Sequence, residues 1–459
     1  MNTNFKMMQN NNLPIAIIGA GPVGLAAAAH LLKQNLPFIV FEAGSSVGQN
    51  MLSWSHVRVF SPWKYNIDRV AKEVLEQTDW KAPDEDKLPT GQELVEHYFR
   101  PLANLPQIKP YIHLNSKVLS IGRKGLDKMK TRGRENKPFS IKVQEHENIN
   151  YYEAKAVIDA TGTWNQPNPI GSGGVFAEGE QELNKHIFYG IPNVKAEHLE
   201  RYKNKNVVVV GGGHSAINAL LDLADIQKKY PKTQLNWVLR KDNMNKVYGG
   251  KQEDALEARG ALGIRIEQLV NSGKLNVYTP FHILKLTKKE DGIQIIGDLN
   301  GEIETINQID EIVSNTGSRP NLEMIREIRT DLDASLESVF DLAELIDPNV
   351  HSCGTVRPHG EKELRHPEKD FYIVGSKSYG RAPTFLMTTG YEQVRSVVAY
   401  MVGDIEAAER VELNLPETGV CSTDFATNEK GESVACCSSE LTIEEVESTG
   451  SSCRTSRCN

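Results

Sequence analysis

The chain has 459 residues, enough at roughly 150 residues per domain for about three units that each bury a core. Sixty acidic against 52 basic residues leave a net charge of −8, without the basic surplus that sequence-independent nucleic-acid binding requires. With 39% hydrophobic residues and no uninterrupted apolar run near the roughly 18 residues of a bilayer span, neither nucleic acid nor membrane is an expected partner.

The leading MNTNFKMMQNNN is polar and lacks the apolar core and cleavage site of a secretory signal, which points to the cytoplasm. From Ile15 to Gly44 the sequence IAIIGAGPVGLAAAAHLLKQNLPFIVFEAG reads as strand, glycine turn, alanine-rich helix and second strand. In its GAGPVG turn, Gly19 permits the tight bend, Gly21 and Pro22 bring the backbone and the helix N-terminus to a pyrophosphate, and Gly24 lets helix and strand pack. Glu42, at the end of the second strand, suits a ribose diol and would repel a 2′-phosphate, so this fold is expected to take FAD or NAD.

A Thr-Gly turn at Thr161 and Gly162, expected to border the first nucleotide, closes VIDATGTWNQPN, and a second at Thr316 and Gly317, expected with the following Arg319 to border the second nucleotide, closes IVSNTGSRPN. Between them, VVVVGGGHSAINALLDLADIQKKYPKTQLNWVLRKD, Val207 to Asp242, repeats the dinucleotide plan. Gly211 and Gly213 repeat the glycine logic, Ala216 stands for the third glycine, and His214 and Ser215 open the helix. Arg240 and Lys241 end the following strand where the first fold has its glutamate; they suit a 2′-phosphate and so NADPH, or are solvated strand-end charges. Pro280 to Ile312 alternates like a meander, and DFYIVGS, whose Gly375 is expected to border FAD, reads as a buried strand.

The expected architecture is therefore α/β with two Rossmann-like folds, the second inserted into the first. The FAD-binding part covers residues 13–168, the NADPH-binding part 169–320, and the chain returns to the first fold over 321–410. Residues 411–459 change to Ser, Thr, Glu, Gly and Cys without periodicity and read as a mobile cysteine-bearing tail. Of six cysteines, none precedes Cys353, and the remaining ones are Cys421, Cys436, Cys437, Cys453 and Cys458. His351, Cys353, His359 and His366 share one polar loop without zinc-ligand spacing, so no metal is expected.

Two adjoining dinucleotide sites have a simple explanation, hydride delivery from a nicotinamide to a flavin. Because neither fold contains a cysteine pair, oxygen or a substrate meeting the flavin directly is favoured over a dithiol relay. The strand–GxGxxG unit with Glu42, the Asp159-Ala160-Thr161-Gly162 turn and the second glycine fold resemble class B flavin monooxygenases over about residues 13–403. GIPNVKAEHLERYKNKNVVVVGGGHSAINALLDLA and RPHGEKELRHPEKDFYIVGSKSYGRAPTFLMTTGYEQVRS are similar, more narrowly, to bacterial flavoproteins encoded beside arsenic-resistance genes.

The resemblance implies FAD, NADPH, molecular oxygen, a flavin peroxide and a soft nucleophile as substrate, trivalent arsenic first. It places Asn66 near the reacting oxygen, though an asparagine in FSPWKYNID is equally a turn residue. It also aims the helix carrying Thr389 and Gly390 at the flavin, with Arg381 adding positive charge nearby or lying on the surface. Two fingerprints depart from the family: Val194 stands where a histidine belongs after Phe188 and Gly190, and Gln49 follows Gly48, with Trp54 the nearest tryptophan. Cys436 and Cys437 are either thiols for a metalloid or incidental parts of an extension. The leading expectation is a monooxygenase. The alternatives are an NADPH-dependent reductase of a metalloid or disulfide using the C-terminal cysteines, and a thiol-based metalloid-binding or sensing protein on a flavin scaffold.

Overall fold

Apolar runs such as Ile15–Ile18 and Ala156–Asp159 have no polar alternation, as expected of strands covered on both faces. In the computed structural model, which describes residues 13–254, 256–348 and 359–413, they lie side by side in a parallel sheet. Its order is Phe371–Ile373, Ala156–Asp159, Ile15–Ile18, Phe38–Phe41, Ile112–His113. The strand Ile15–Ile18 thus pairs on one side with the next strand in the chain and on the other with one that returns much later. Such a reversal opens a crevice at the C-terminal ends of the strands.

The helix Pro22–Lys33 crosses this sheet with Ala26, Ala27, Ala28 and Ala29 all fully buried. Small side chains are needed because the helix Met387–Met401 packs against it as well. A second parallel sheet has the order Asn276–Tyr278, Gln234–Val238, Asn206–Val210, Glu311–Ser314, Ile187–Tyr189. The helix His214–Lys229 follows its central strand. Each parallel sheet is accompanied by a three-stranded antiparallel meander, Ser116–Arg123 with Phe139–Glu145 and Asn148–Ala154, and Phe281–Lys289 with Gly292–Leu299 and Glu302–Ile309.

One core joins buried residues from Ile15 to Ile158 with buried residues from Ile325 to Val398, while the buried residues of two others lie between Ile170 and Val313, with Val57 packed against one of them. The architecture is the mixed α/β arrangement of two dinucleotide folds. All described residues fall in one compact unit, Met1–Thr423; the second, Asp424–Asn459, lies outside them, as do Cys436, Cys437 and residues 414–459 of the expected tail, whose residue Glu412 is paired with Arg69 and Arg410. No helix among the described residues is long and apolar enough to cross a membrane.

Candidate functional site

At Gly19 the backbone turns at φ +99°, and a Cβ there would stand 2.9 Å from the carbonyl oxygen of Ala160. A Cβ on Gly24 would stand 1.9 Å from the oxygen of Gly19, so both positions exclude a side chain. Gly21 differs: nothing lies within 4 Å of where its Cβ would be. It caps the helix Pro22–Lys33 without a side-chain bond to the first N–H groups. Open space in front of uncapped helical donors is what a pyrophosphate requires, so these residues fit a dinucleotide. Glu42 borders the same turn, one carboxylate oxygen accepting from Ala20 N–H at 2.7 Å and the other from Gly44 N–H at 2.7 Å. Each oxygen keeps a lone pair for a ribose hydroxyl.

Three further segments close on this turn. Thr161 donates its hydroxyl to Asp159 Oδ1 at 2.8 Å, and Gly162 follows at φ +68°. Gly375, at φ +71°, donates its N–H to Gln393 Oε1 at 2.7 Å. A Cβ on Gly390 would lie 2.5 Å from Val23 Cγ2, which lets the start of helix Met387–Met401 reach the start of Pro22–Lys33. Thr389 is buried in that first turn, whose cap, Leu386, gives the helical N–H groups no side-chain partner.

Asn66 is buried, with its amide donating to Ser61 O at 2.7 Å and Pro62 O at 2.8 Å and accepting from Ser61 Oγ at 3.0 Å. Both amide hydrogens therefore brace its own loop. Arg381 is exposed and is anchored through its backbone N–H, which donates to Leu336 O at 2.7 Å.

The second glycine turn repeats the first. Gly211, at φ +130°, would place a Cβ 2.2 Å from the carbonyl oxygen of Asn315, whereas Gly213 has nothing within 4 Å and caps helix His214–Lys229 without a side-chain bond. Ala216 is fully buried where the third glycine would pack. Ser215 lies partly buried beside His214. The His214 ring meets Phe60 at 5.2 Å, and burial, with the Arg259 guanidinium adding to it, lowers its pKa to about 4. Arg240 is exposed and donates to Ser172 O at 3.0 Å. Lys241 is exposed as a residue, yet partial desolvation and then the Lys246 ammonium lower its pKa.

The two Thr-Gly turns lie against each other. Thr316 donates its hydroxyl to Asn168 O at 2.6 Å, Asn168 N–H donates to Gly317 O at 2.9 Å, and Ser318 donates to Thr163 Oγ1 at 2.9 Å. Arg319 forms an ion pair with Glu337. Thr316 and Arg319, expected at the second nucleotide, are thus engaged with Asn168 and Glu337.

Sequence reasoning missed several contributors. Lys377 is fully buried against Asp159 at 2.7 Å, Gln393 holds the Gly375 turn, and Phe60 from the first fold covers His214 in the second. Val194, at the departed histidine position, is fully buried, while His198 stacks edge-on against Phe188 at 4.9 Å. None of these carries a periodic or motif signal. His351 and Cys353 lie outside the described residues. Among the described residues no group of three His, Cys, Asp or Glu could hold a metal ion.

Comparison with known proteins follows this geometry. The chain is 23% identical over 369 residues to ferredoxin–NADP reductase 2 of Exiguobacterium sibiricum, covering 78% of this chain and 84% of that protein. The bacillithiol disulfide reductase Bdr (YpdA) of Bacillus cereus superposes with a TM-score of 0.62 at 18% identity, covering 85% of this chain and 99% of that one. The ornithine N-hydroxylase of Kutzneria sp. 744, in a structure with reduced FAD, NADP+ and L-ornithine, superposes with a TM-score of 0.56 at 16% identity, over 86% and 99% of the two chains. The pyridine nucleotide-disulphide oxidoreductase family model matches residues 16–345, and the chain belongs to that family, as a flavin- and nicotinamide-dependent oxidoreductase with FAD and NADP(H) as its cofactors.

Proposed function

We propose that the chain is an NADPH-dependent FAD monooxygenase that oxygenates a soft nucleophile, a trivalent arsenical such as arsenite before other heteroatom substrates. The observation that carries this reading is that residues 13–348 and 359–413 contain no cysteine, so neither dinucleotide fold holds a dithiol to take electrons onward. Bound FAD would accept a hydride from the nicotinamide and make its electrons available to dioxygen.

The chain's own residues would hold and orient the cofactors. The Gly21 and Gly213 turns receive the two pyrophosphates, and Glu42 takes the FAD ribose hydroxyls. Arg240 and Lys241 favour the 2′-phosphate of NADPH over NADH. The N–H groups at the start of helix Met387–Met401, which have no side-chain cap, would favour negative charge on a cofactor set before them. Asn66 would act on the reacting oxygen only if its loop brace opened. Arg381 would supply a positive charge from the surface. The reaction balances as NADPH, a proton, dioxygen and the lone pair on arsenic giving NADP+, water and the oxygenated arsenical. All components are soluble, which suits a cytoplasmic enzyme.

A second reading is an NADPH-dependent reductase whose electrons leave through the C-terminal thiols, favoured by five of the six cysteines lying at Cys421 and beyond. Oxygen electrode and NADPH absorbance traces on the purified flavoprotein separate the two. The oxygenase consumes the two co-substrates one to one, only when arsenite or an organoarsenical is added, and stalls without oxygen. Turnover at an undiminished rate under anaerobic conditions would replace it with the reductase. Coupled uptake with an amine or thioether but no arsenical would keep the oxygenase and remove arsenic.

A further inference from the structure

The side chains of Lys377 and Asp159 are both wholly inaccessible to solvent and lie 2.7 Å apart. Lys377 Nζ also donates to Thr161 Oγ1 at 3.2 Å, while the Thr161 hydroxyl donates to Asp159 Oδ1 at 2.8 Å. Taking two charges out of water is costly, and apolar residues of similar size would serve packing equally well or better. The cofactor reading above uses neither charge, so their placement calls for an explanation.

That placement is specific. Asp159 ends the strand beside Ile15–Ile18, and the carbonyl of the next residue, Ala160, is what excludes a side chain from Gly19. Val374 N–H donates to the Asp159 carbonyl at 2.9 Å, and Gly375 follows it, 3.3 Å from Val23 if it bore a Cβ. The strand end that carries Asp159 therefore adjoins the three turns that border the FAD groove, at Gly19, at Thr161 and Gly162, and at Gly375, and the ion pair fastens the second of them to the third. Charges buried this deeply are little screened by salt.

We propose that the Lys377–Asp159 pair is a positioning device for FAD that also balances the field in which the cofactor is reduced. The inference rests on FAD occupying the first fold and is independent of what the reduced cofactor reacts with. The groove gains negative charge on reduction, which the Lys377 ammonium favours and the Asp159 carboxylate opposes. Paired, the two nearly cancel; removing one leaves the field of the other as long as that group keeps its charge.

The test uses the full-length holoprotein with Asp159→Asn, Lys377→Met and the double variant. Bound FAD per chain is read from the visible absorbance, and the two-electron potential from equilibration with reference dyes. Asp159→Asn should move the potential up and Lys377→Met should move it down. Each shift should correspond to a roughly tenfold change in the ratio of affinities for reduced and oxidised cofactor, about 30 mV for a two-electron couple. The double variant should fall nearer the wild type than either single one. A merely structural pair would weaken FAD retention in both single variants without shifts of opposite sign, and shifts of one sign, or none, overturn the proposal. If Lys377→Met does not fold, the double variant against Asp159→Asn isolates the lysine: a lower potential supports the proposal and an equal one overturns it. Wild-type protein that stays colourless after reconstitution would instead overturn the FAD assignment.

Discussion

Each oxygen of the Glu42 carboxylate accepts one backbone N–H, from Ala20 and from Gly44, so the residue holds the glycine turn in shape, and under the proposed function it would also take the ribose hydroxyls. An amide in its place must turn its NH2 toward one of those donors. The N–H so faced loses its acceptor, at a cost of about 1–3 kcal/mol. Glu42→Gln is therefore expected to weaken FAD binding by roughly 5- to 150-fold while the protein stays folded, measured by fluorescence titration of apoprotein with FAD. Unchanged affinity would mean that the carboxylate is not part of the cradle. The position of Glu42 at the strand end beside the glycine turn was legible, because it follows from spacing along the chain. The two N–H bonds were not, since they depend on how the strand end packs against Ala20. Lys377 was less legible still. A lysine in a serine-rich loop gives no sign in sequence that it is wholly buried, because its partner Asp159 is brought to it only by the sheet.

At the scale of elements, the chain passes between its two parallel sheets twice, and the crossings are fastened to each other. The hydroxyl of Thr316 reaches the carbonyl of Asn168 at 2.6 Å across 148 residues, and Ser318 reaches Thr163 at 2.9 Å. Thr316→Val keeps the shape and removes the donor, leaving the Asn168 carbonyl short of a partner. A loss of about 1–3 kcal/mol in unfolding free energy is expected, read from the denaturant midpoint. FAD content should be unchanged; a loss of FAD together with stability would show that the crossing also shapes the groove. Both Thr-Gly turns were visible in sequence because strand, turn and Pro-Asn are local signals. Their pairing was not, because it is a long-range contact. The meander Ser116–Ala154 was illegible for another reason: its edge strand Asn148–Ala154 is mostly exposed and carries no buried alternation to read.

Across the whole molecule, three histidines in separate places are held neutral by burial. His214 and His366 each have a pKa lowered to about 4, desolvation being the main cause, and His56 is shifted the same way. In the unfolded chain such groups bind protons from about pH 6.5 downward. Between that value and about 4 the unfolded state therefore holds more protons than the native one, and stability falls as the pH falls through this window. Below it both states are protonated and this contribution is flat. Two shifts of this size give an upper bound of about 3 kcal/mol each. The carboxylates act in a different range. For Glu368, burial alone would raise the pKa, but the Arg134 and Arg123 guanidinium groups hold it below the ordinary carboxylate value, so its stabilisation is lost only at more acid pH. Urea midpoints should thus decline from pH 6.5 to 4.5. His366→Gln, which cannot bind a proton in this range, should flatten part of that decline while leaving the remainder that belongs to His214. A midpoint constant from pH 7 to 4.5 in the wild type would show instead that these imidazoles are solvated in the native state. The Phe60–His214 contact would then not be the closed junction that the structure describes.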